Sequence, residues 1–486
     1  MATLSTLEIY SLFGLFGLLM IFLVWLKTHQ EKHADGFLVA DRNVSTWHGV
    51  FSIAVSWVWA PAVFICSLQA YTKGLPGIFW FTAPNILCFF VFATVAVRLR
   101  KLMPEGYTLP EFIWHRFNGS KPVHLAFLLI AFGYQLGAII INAVAGGTLL
   151  HLASGINIQI AMGGMILVAL AYSLLGGLKA SVFTDVIQML MILVFGFILV
   201  PWAVFASGGL SSITNGLAGI TGQHGNLFHP WIAYTMGIPM TISLIAGPIS
   251  DQMFYQRAMA VKKENIVPVF VRGGLLFGIV PIILSLLGFI GVTLVKTQGL
   301  IVVDVQMVAP VVIATLLPKF ALYLFILMAF AGLCSTMDSA FCGMSALGSV
   351  DIFKRYRNTQ PGDKEMLKSA RLFMLGGAAI GGAIAMTEPK LLWIFFIYGA
   401  LAGAGLVPTI VSLFWERITA KDVFIAIIIS LVVATPLSIY ANITENPHLI
   451  VVSSVSGVAI SALVCLLSAM MNPAKPPCAD IQANVV

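Results

Sequence analysis

The densest polar chemistry in the chain lies between Ser335 and Ser339. Ser335, Thr336, Asp338 and Ser339 crowd five positions of an otherwise apolar run. Ser335 and Ser339 are four apart, so a helix sets them on one face, with Asp338 three from Ser335. A carboxylate in a hydrocarbon setting is costly and marks a functional site by default. Hydroxyls, a carboxylate and freed carbonyls are hard oxygen ligands, suited to a hard cation such as sodium rather than to a soft metal. Hydrogen bonding between helices accounts for the serines and does less well with Asp338.

A second constellation reads Gly176-Gly177-Leu178-Lys179-Ala180-Ser181-Val182-Phe183-Thr184-Asp185-Val186-Ile187-Gln188. Paired glycines permit a tight turn, and Asp185 enters the following apolar run near its start. A carboxylate also suits a helix N-terminus, where the dipole favours it. A third stretch, Asp251 to Arg257, brings an acid and a base to the end of an apolar run. It reads as a mark of the membrane interface rather than as a gate pair. No nucleophile, base and orienting group stand together, so an enzyme is not expected. The nine histidines fall mostly in loops or at the ends of apolar runs.

These residues need elements that cross a bilayer. Of 486 residues, 59% are hydrophobic and 9% are charged, against about 25% charged in ordinary soluble domains. A soluble fold could not cover that apolar surface. In lipid every backbone amide must be satisfied within its own segment, which points to an all-α membrane protein. Runs of spanning length fall at 6–27, 48–72, 77–99, 123–150, 156–175, 181–206, 230–256, 266–295, 303–350, 367–387, 391–415, 421–442 and 448–471. That makes about thirteen transmembrane helices. The first, Thr6 to Leu26, is too long and too weakly basic at its front for a signal peptide, and reads as a span that stays.

With the N-terminus outside, 22 of the 26 Lys and Arg face the cytoplasm, as the positive-inside rule requires. The C-terminus then lies inside. The formal charge of +7 is explained without nucleic acid. Basic loops beside spans can also touch anionic lipid. Cys66, Cys88, Cys334, Cys342, Cys465 and Cys478 show no paired spacing, so neither a disulfide framework nor a zinc site is expected.

Two spans carry helix breakers at matched positions. The second reads Val55-Ser56-Trp57-Val58-Trp59-Ala60-Pro61-Ala62. Its proline removes an amide donor and clashes one turn back. The seventh holds Met236-Gly237-Ile238-Pro239 and Ala246-Gly247-Pro248-Ile249. With the first span as an appendage, these open two five-helix halves. Interrupted helices at matching places in two repeats point to a transporter binding site. The chain then divides into 1–47, 48–206, 207–415 and 416–486: a first helix with its loop, two five-helix repeats, and two final helices with a short tail.

At these residues the chain resembles the sodium:solute symporter family. The segment 176–188 resembles that family's most recognisable signature, and Ser335-Thr336-Met337-Asp338-Ser339 its sodium-site helix. Gly36-Phe37 through Asp41-Arg42, and Tyr107-Thr108-Leu109-Pro110-Glu111-Phe112 with Arg116, resemble further family segments. The matches run in order from about residue 36 to 356.

The resemblance implies a LeuT-type core of two inverted five-helix repeats, one helix before it and two after, in the cytoplasmic membrane. It implies alternating access driven by sodium. It implies a principal sodium site built from the carbonyls of Val55, Val58 and Gly332 and the hydroxyls of Ser335 and Thr336. Gly332 stands where alanine is usual. A second sodium site of some members maps to Asp185, Ser335, Asp338 and Ser339. Substrate positions map to Trp57, Ala62, Trp80 and Phe81, with Trp59 beside them. Those side chains cannot make a sugar's hydrogen-bond network, so a sugar is not expected. The Ser56–Ala60 run resembles the urea- and polyamine-carrying branch. Its aromatic faces could stack on a planar solute or attract a cation, or could simply pack the helices. The expected function is sodium-coupled import of a small polar solute that is urea-, amine-, amino-acid- or carboxylate-like. A proton-coupled symporter of the same fold and a transporter-like solute sensor are the rivals. No oligomer is required.

Overall fold

The computed structural model describes residues 4–28, 31–357, 360–389 and 391–471. Cys478 and the tail from Asn472 lie outside them. The described residues are helical apart from loops and one isolated bridge between Val44 and Val261. In chain order the helices are α1 Thr6–Thr28, α2 Ala34–Val39, α3 Thr46–Ser56, α4 Cys66–Leu102, α5 Leu109–Arg116, α6 Lys121–Ser154, α7 Ile158–Ala206, α8 Leu210–Thr214 and α9 Pro230–Ile232. There follow α10 Ile238–Ser250, α11 Gln252–Ala260, α12 Ile266–Gln298, α13 Val308–Leu316, α14 Lys319–Ala346, α15 Asp363–Ala385, α16 Leu391–Phe414, α17 Ala420–Ile443 and α18 Pro447–Met471.

Among the described residues, ten helical runs are long and apolar enough to cross a bilayer. Two are too long for one crossing. Pro61–Leu102 has 42 residues and Ile158–Ala206 has 49, and at 1.5 Å per residue each would reach about twice the ~30 Å hydrocarbon thickness. Both contain a glycine with positive φ, Gly74 at 62° and Gly177 at 54°. The chain doubles back at each. Gln188 Nε2 donates to the Tyr172 hydroxyl at 3.2 Å, across Gly177 and sixteen residues of sequence. Trp57 Nε1 donates to Asn85 Oδ1 at 2.7 Å, across Gly74 and 28 residues. Each split adds one crossing, and α15, 23 residues long, adds another. The total is the thirteen that the apolar runs imply.

Glycine is required at both turns. A Cβ at 177 would lie 2.3 Å from the Phe37 carbonyl oxygen, and one at 74 would lie 2.4 Å from that of Leu217. L side chains also avoid this backbone region.

The break in the second span is real and is held open by its neighbours. α3 is capped by Ser45, whose side chain accepts the His48 N–H, and ends at Ser56. Trp57, Val58 and Trp59 leave the helix, which restarts through a widened π turn over Pro61–Ile65. Pro61 has no N–H to offer the Trp57 carbonyl. The Asn142 side chain, reaching from α6, accepts the Ala60 N–H at 2.9 Å and so takes one orphaned donor of the restarted helix.

The seventh span behaves differently from its sequence. Met236-Gly237-Ile238-Pro239 does not unwind. It is absorbed by a π turn over Ala233–Gly237 that runs into α10. The interruption lies at its far end. Three residues after Pro248, Asp251 turns extended at φ −104° and ψ 115°, and its side chain caps α11 at Met253 N. A wider turn makes room for a proline without opening the helix.

The remaining helices brace this core. Phe13 of α1 stacks on Phe330 of α14 at 4.9 Å between ring centroids. α17 and α18 meet through Ser430, which donates to the Gly457 carbonyl at 2.6 Å.

Candidate functional site

The gap between α3 and α4 faces the polar segment of α14. Thr336 Oγ1 lies 3.3 Å from the Ser56 carbonyl and 3.3 Å from that of Gly332. A Cβ at Gly332 would lie 2.7 Å from the Val58 carbonyl oxygen, so only glycine admits this approach. That explains the departure from alanine at 332. Val58, Gly332 and Thr336 therefore meet at the break, while the Ser335 hydroxyl is directed at Asp185. Val55 is buried there, but its carbonyl already accepts the Val58 N–H at 2.9 Å. The Ser56 carbonyl, one residue on, is the one that meets Thr336.

The second set also assembles, around a residue the sequence reading placed at the interface. Ser335 Oγ donates to Asp185 Oδ1 at 2.6 Å. Ser52 Oγ donates to Asp185 Oδ2 at 2.5 Å, and Arg257 Nη2 donates to the same oxygen at 2.9 Å. Arg257 Nη2 also lies 2.7 Å from Ser339 Oγ. With 2% exposure, Arg257 is no interface residue. Asp251 is equally buried and is not its partner, since it accepts Gln135 Nε2 at 2.8 Å and Met253 N at 3.0 Å. Asp338 is held by hydroxyls, accepting from Tyr172 at 2.7 Å and from Ser181 at 2.6 Å. Tyr172 and Ser181 reach one carboxylate only because the chain reverses at Gly177.

Beside the break lies a cavity of about 450 Å³. Its wall includes Pro61, Phe64, Gln69, Lys73, Ser243 and Gln306. Ser243 and Gly399 also line a small recess floored by Trp57, Trp59, Tyr134 and Tyr398. Trp57 and Trp59 sit with ring centroids 5.6 Å apart, and Trp59 and Tyr398 with centroids 5.7 Å apart. Ala62, Trp80 and Phe81 line neither space. Trp80 instead packs on Gly237, where a Cβ would lie 2.7 Å from its ring. The carbonyl oxygen of the Gln69 side chain is buried without a hydrogen-bond partner at the cavity wall.

The opposite side, which the charge pattern assigns to the cytoplasm, is packed shut. α11 is buried along its whole length. Gln256 Nε2 donates to the Leu38 carbonyl at 2.6 Å and to that of Cys342 at 3.2 Å. Below it, His124 Nε2 lies 3.1 Å from Asp351 Oδ1, and Thr108 donates to Asp351 Oδ2 at 2.6 Å. His124 is thus a buried partner, not an interface histidine. Burial, and then the nearby Asp351 charge, push the Glu111 carboxyl above its ordinary value. Asn142, Ser52 and Tyr172 were not found as site residues from sequence, because single polar side chains in apolar runs carry no spacing signal. Gln188 was quoted with the 176–188 segment and Arg257 with the 251–257 stretch, but neither was assigned to a site.

The pattern that defines the sodium:solute symporter family matches residues 37–430. The chain belongs to this family. Its members and the relatives found are transporters rather than enzymes. The urea-proton symporter DUR3 of Oryza sativa subsp. japonica is 23% identical over 82% of this chain and 60% of its own length. The chain therefore spans less than two thirds of that relative. Probable urea active transporter 1 of Schizosaccharomyces pombe is 22% identical over 92% of this chain and 73% of its own. The sodium/pantothenate symporter of Escherichia coli is 27% identical over 67% of this chain and 68% of its own.

A sodium-coupled sialic acid symporter, solved substrate-bound and outward-open, superposes with a TM-score of 0.78 at 18% identity, over 96% of this chain and 98% of that one. At that identity the likeness establishes fold. This family member has the LeuT-type core, with one helix before it and two after.

Proposed function

We propose that the chain is a sodium-coupled symporter that imports a small, planar, nitrogen-bearing solute such as urea or a related amine or amide. The observation that carries the reading is the break at Trp57–Trp59. It turns the Ser56 carbonyl toward Thr336 and the Val58 carbonyl toward Gly332, and with the Ser335 hydroxyl these would make a neutral set of hard oxygens. Such a set suits a monovalent hard cation, because little charge must be offset once the ion arrives. Sodium here is cargo and driving force together.

The solute reading rests on the aromatic recess and on Gln69. Planar faces stack a planar solute. An unpartnered buried acceptor favours a ligand with N–H groups. The relatives named as urea transporters support it. The recess itself, with Ser243 beside two tryptophans and two tyrosines, suits a planar solute better than a sugar. We take the plasma membrane with the N-terminus outside, the side the charge pattern favours; on that orientation the cavity opens outward and the α11 side is the closed cytoplasmic gate. Asp185, Ser335, Asp338 and Ser339 remain the candidate set for a further cation.

Coupling is tested in proteoliposomes with labelled urea and a panel of amines, amino acids and carboxylates. Uptake should follow an inward sodium gradient and collapse when choline replaces sodium. Uptake that ignores sodium and follows a proton gradient would overturn the sodium reading. The second reading, proton coupling, is favoured by the rice relative's name and by Asp338, a buried carboxylate with hydroxyl partners. Solute binding without flux would instead indicate a sensor.

A further inference from the structure

The cavity beside the break carries a single charge. Among the described residues that line it there is no Asp or Glu, and Lys73 is its one cation. Lys73 is half-buried at the end of the first arm of α4, where the chain reverses at Gly74. Its Nζ lies 3.7 Å from Met236 Sδ, a weak acceptor. No carboxylate among the described residues pairs with it. Asp304 adjoins the lining residues Val305 to Met307, but its side chain is spent accepting the Gln306 N–H at 2.9 Å. One turn back on the same face of α4, the side-chain oxygen of Gln69 is buried without a partner. An unpaired ammonium and an orphaned acceptor thus stand about 6 Å apart along one wall.

The facing wall sets a length. Met236, Pro239, Met240 and Ser243 line the cavity at the spacing of one helical face. Met236 touches the Lys73 ammonium, and Ser243 opens into the recess of Trp57 and Trp59. Seven residues of helix separate these two contacts, a distance of about 10 Å. Urea is too short to reach both. The volume of about 450 Å³ also falls in the range that takes ligands well beyond urea's size. When such a cavity closes and loses its water, an unpaired ammonium is costly unless the occupant brings the counter-charge. One ammonium matches one monoanion. A dianion would leave a charge uncompensated, and an amine would set like charges together.

We propose that Lys73 and Gln69 form a docking subsite for the tail of the solute, and that the solute is an amide or ureido compound with a carboxylate at the far end from its planar head. For the head this rests on the planar-solute reading above; for the tail it rests on Lys73. The head occupies the aromatic recess, an N–H meets the Gln69 oxygen, and the carboxylate pairs with the Lys73 ammonium. Closure of the cavity then buries a neutral pair instead of a bare charge. Cationic amines are disfavoured at the same point.

The test is calorimetric binding, at saturating sodium, to the purified full chain in nanodiscs. Three ureas that differ only in their tails are compared: 3-ureidopropionate, its primary amide, and 2-aminoethylurea. The acid should bind about tenfold tighter than the amide, with the amine weakest. Lys73→Met, which keeps an apolar contact with Met236, should remove the acid's advantage and leave the amide unchanged. Lys73→Glu should turn the order round so that the amine leads, an outcome that loss of folding cannot produce. Equal affinity for acid and amide in the wild type would overturn the proposal, and so would a preference that survives Lys73→Met. Amide binding that needs chloride in the wild type but not in Lys73→Met would give the ammonium to an inorganic anion and overturn it too. If no urea binds, the planar-head reading fails, and butyrate, butyramide and butylamine decide the tail alone. An acid preference there that Lys73→Met removes would uphold the subsite, and no preference would overturn it.

Discussion

At the residue scale, one methyl group tests the closest approach in the ion site. Gly332→Ala would put a Cβ 2.7 Å from the Val58 carbonyl oxygen, and neither backbone can step aside without opening the site. Overpacking of this kind costs about 1–3 kcal/mol, so half-saturating sodium should rise about tenfold while solute affinity at saturating sodium changes little. Sodium titration of uptake checks it, and an unchanged titration would mean that the two carbonyls do not share an ion. Ser335→Ala removes a proposed ligand and also the 2.6 Å bond to Asp185. Sodium-dependent uptake should fall sharply, and undiminished uptake would remove Ser335 from the ligand set. Ser335, Thr336, Asp338 and Asp185 were legible in the sequence because polar residues clustered in apolar runs stand out. Arg257 was visible but misplaced. Its distance along the chain from a charged loop says interface, and only the fold shows that α11 turns inward after Asp251.

At the element scale, the chain reversals and the break are set by single residues, so their failure should be all-or-none. Gly177→Ala meets both a positive φ and a backbone oxygen at 2.3 Å. Together these cost about 2–5 kcal/mol, enough to abolish a marginal fold. Gly155→Ala is the control, with φ at 72° and nothing within 4 Å of a Cβ. Melting temperatures in detergent should fall slightly for the control and steeply for Gly177→Ala. Equal falls would show that backbone strain alone, and not the Phe37 contact, requires glycine there. Asn142 tests the break. Asn142→Leu leaves the Ala60 N–H buried without an acceptor, a loss of about 1–3 kcal/mol, whereas Asn142→Asp keeps one. The leucine variant should lose sodium-driven uptake and the aspartate should retain a part of it. The sequence announced the breakers at Pro61 and at Pro239 equally well. Only one opened its helix: a π turn stands at both, but at Pro61 it follows a gap whose Ala60 N–H is capped by Asn142, while at Pro239 it runs straight into α10.

At the scale of the whole molecule, the asymmetry between an open cavity and a packed opposite face makes a directional prediction. Gln69, Lys73 and Gln306 line the cavity, while α11 is buried along its length on the other side. The apolar runs and the charge tally carried the span count because each crossing must be apolar and each loop must choose a side. They could not carry the state of the gate, which depends on contacts between helices far apart in sequence. Alternating access requires the cavity to close when the α11 side opens. A cysteine at Ser243 would sit where the cavity joins the aromatic recess. In a chain cleared of its own cysteines, Ser243→Cys should react with a membrane-impermeant thiol reagent added outside intact cells. Sodium should raise that rate by stabilising the open state, and solute with sodium should lower it by covering the recess and closing the cavity. Because coupling is reciprocal, the factor by which sodium tightens solute protection must equal the factor by which solute tightens sodium binding. Labelling from the cytoplasmic side alone would invert the orientation drawn from the charges. Labelling from outside that sodium slows would instead keep the orientation and assign the ion to the closed state.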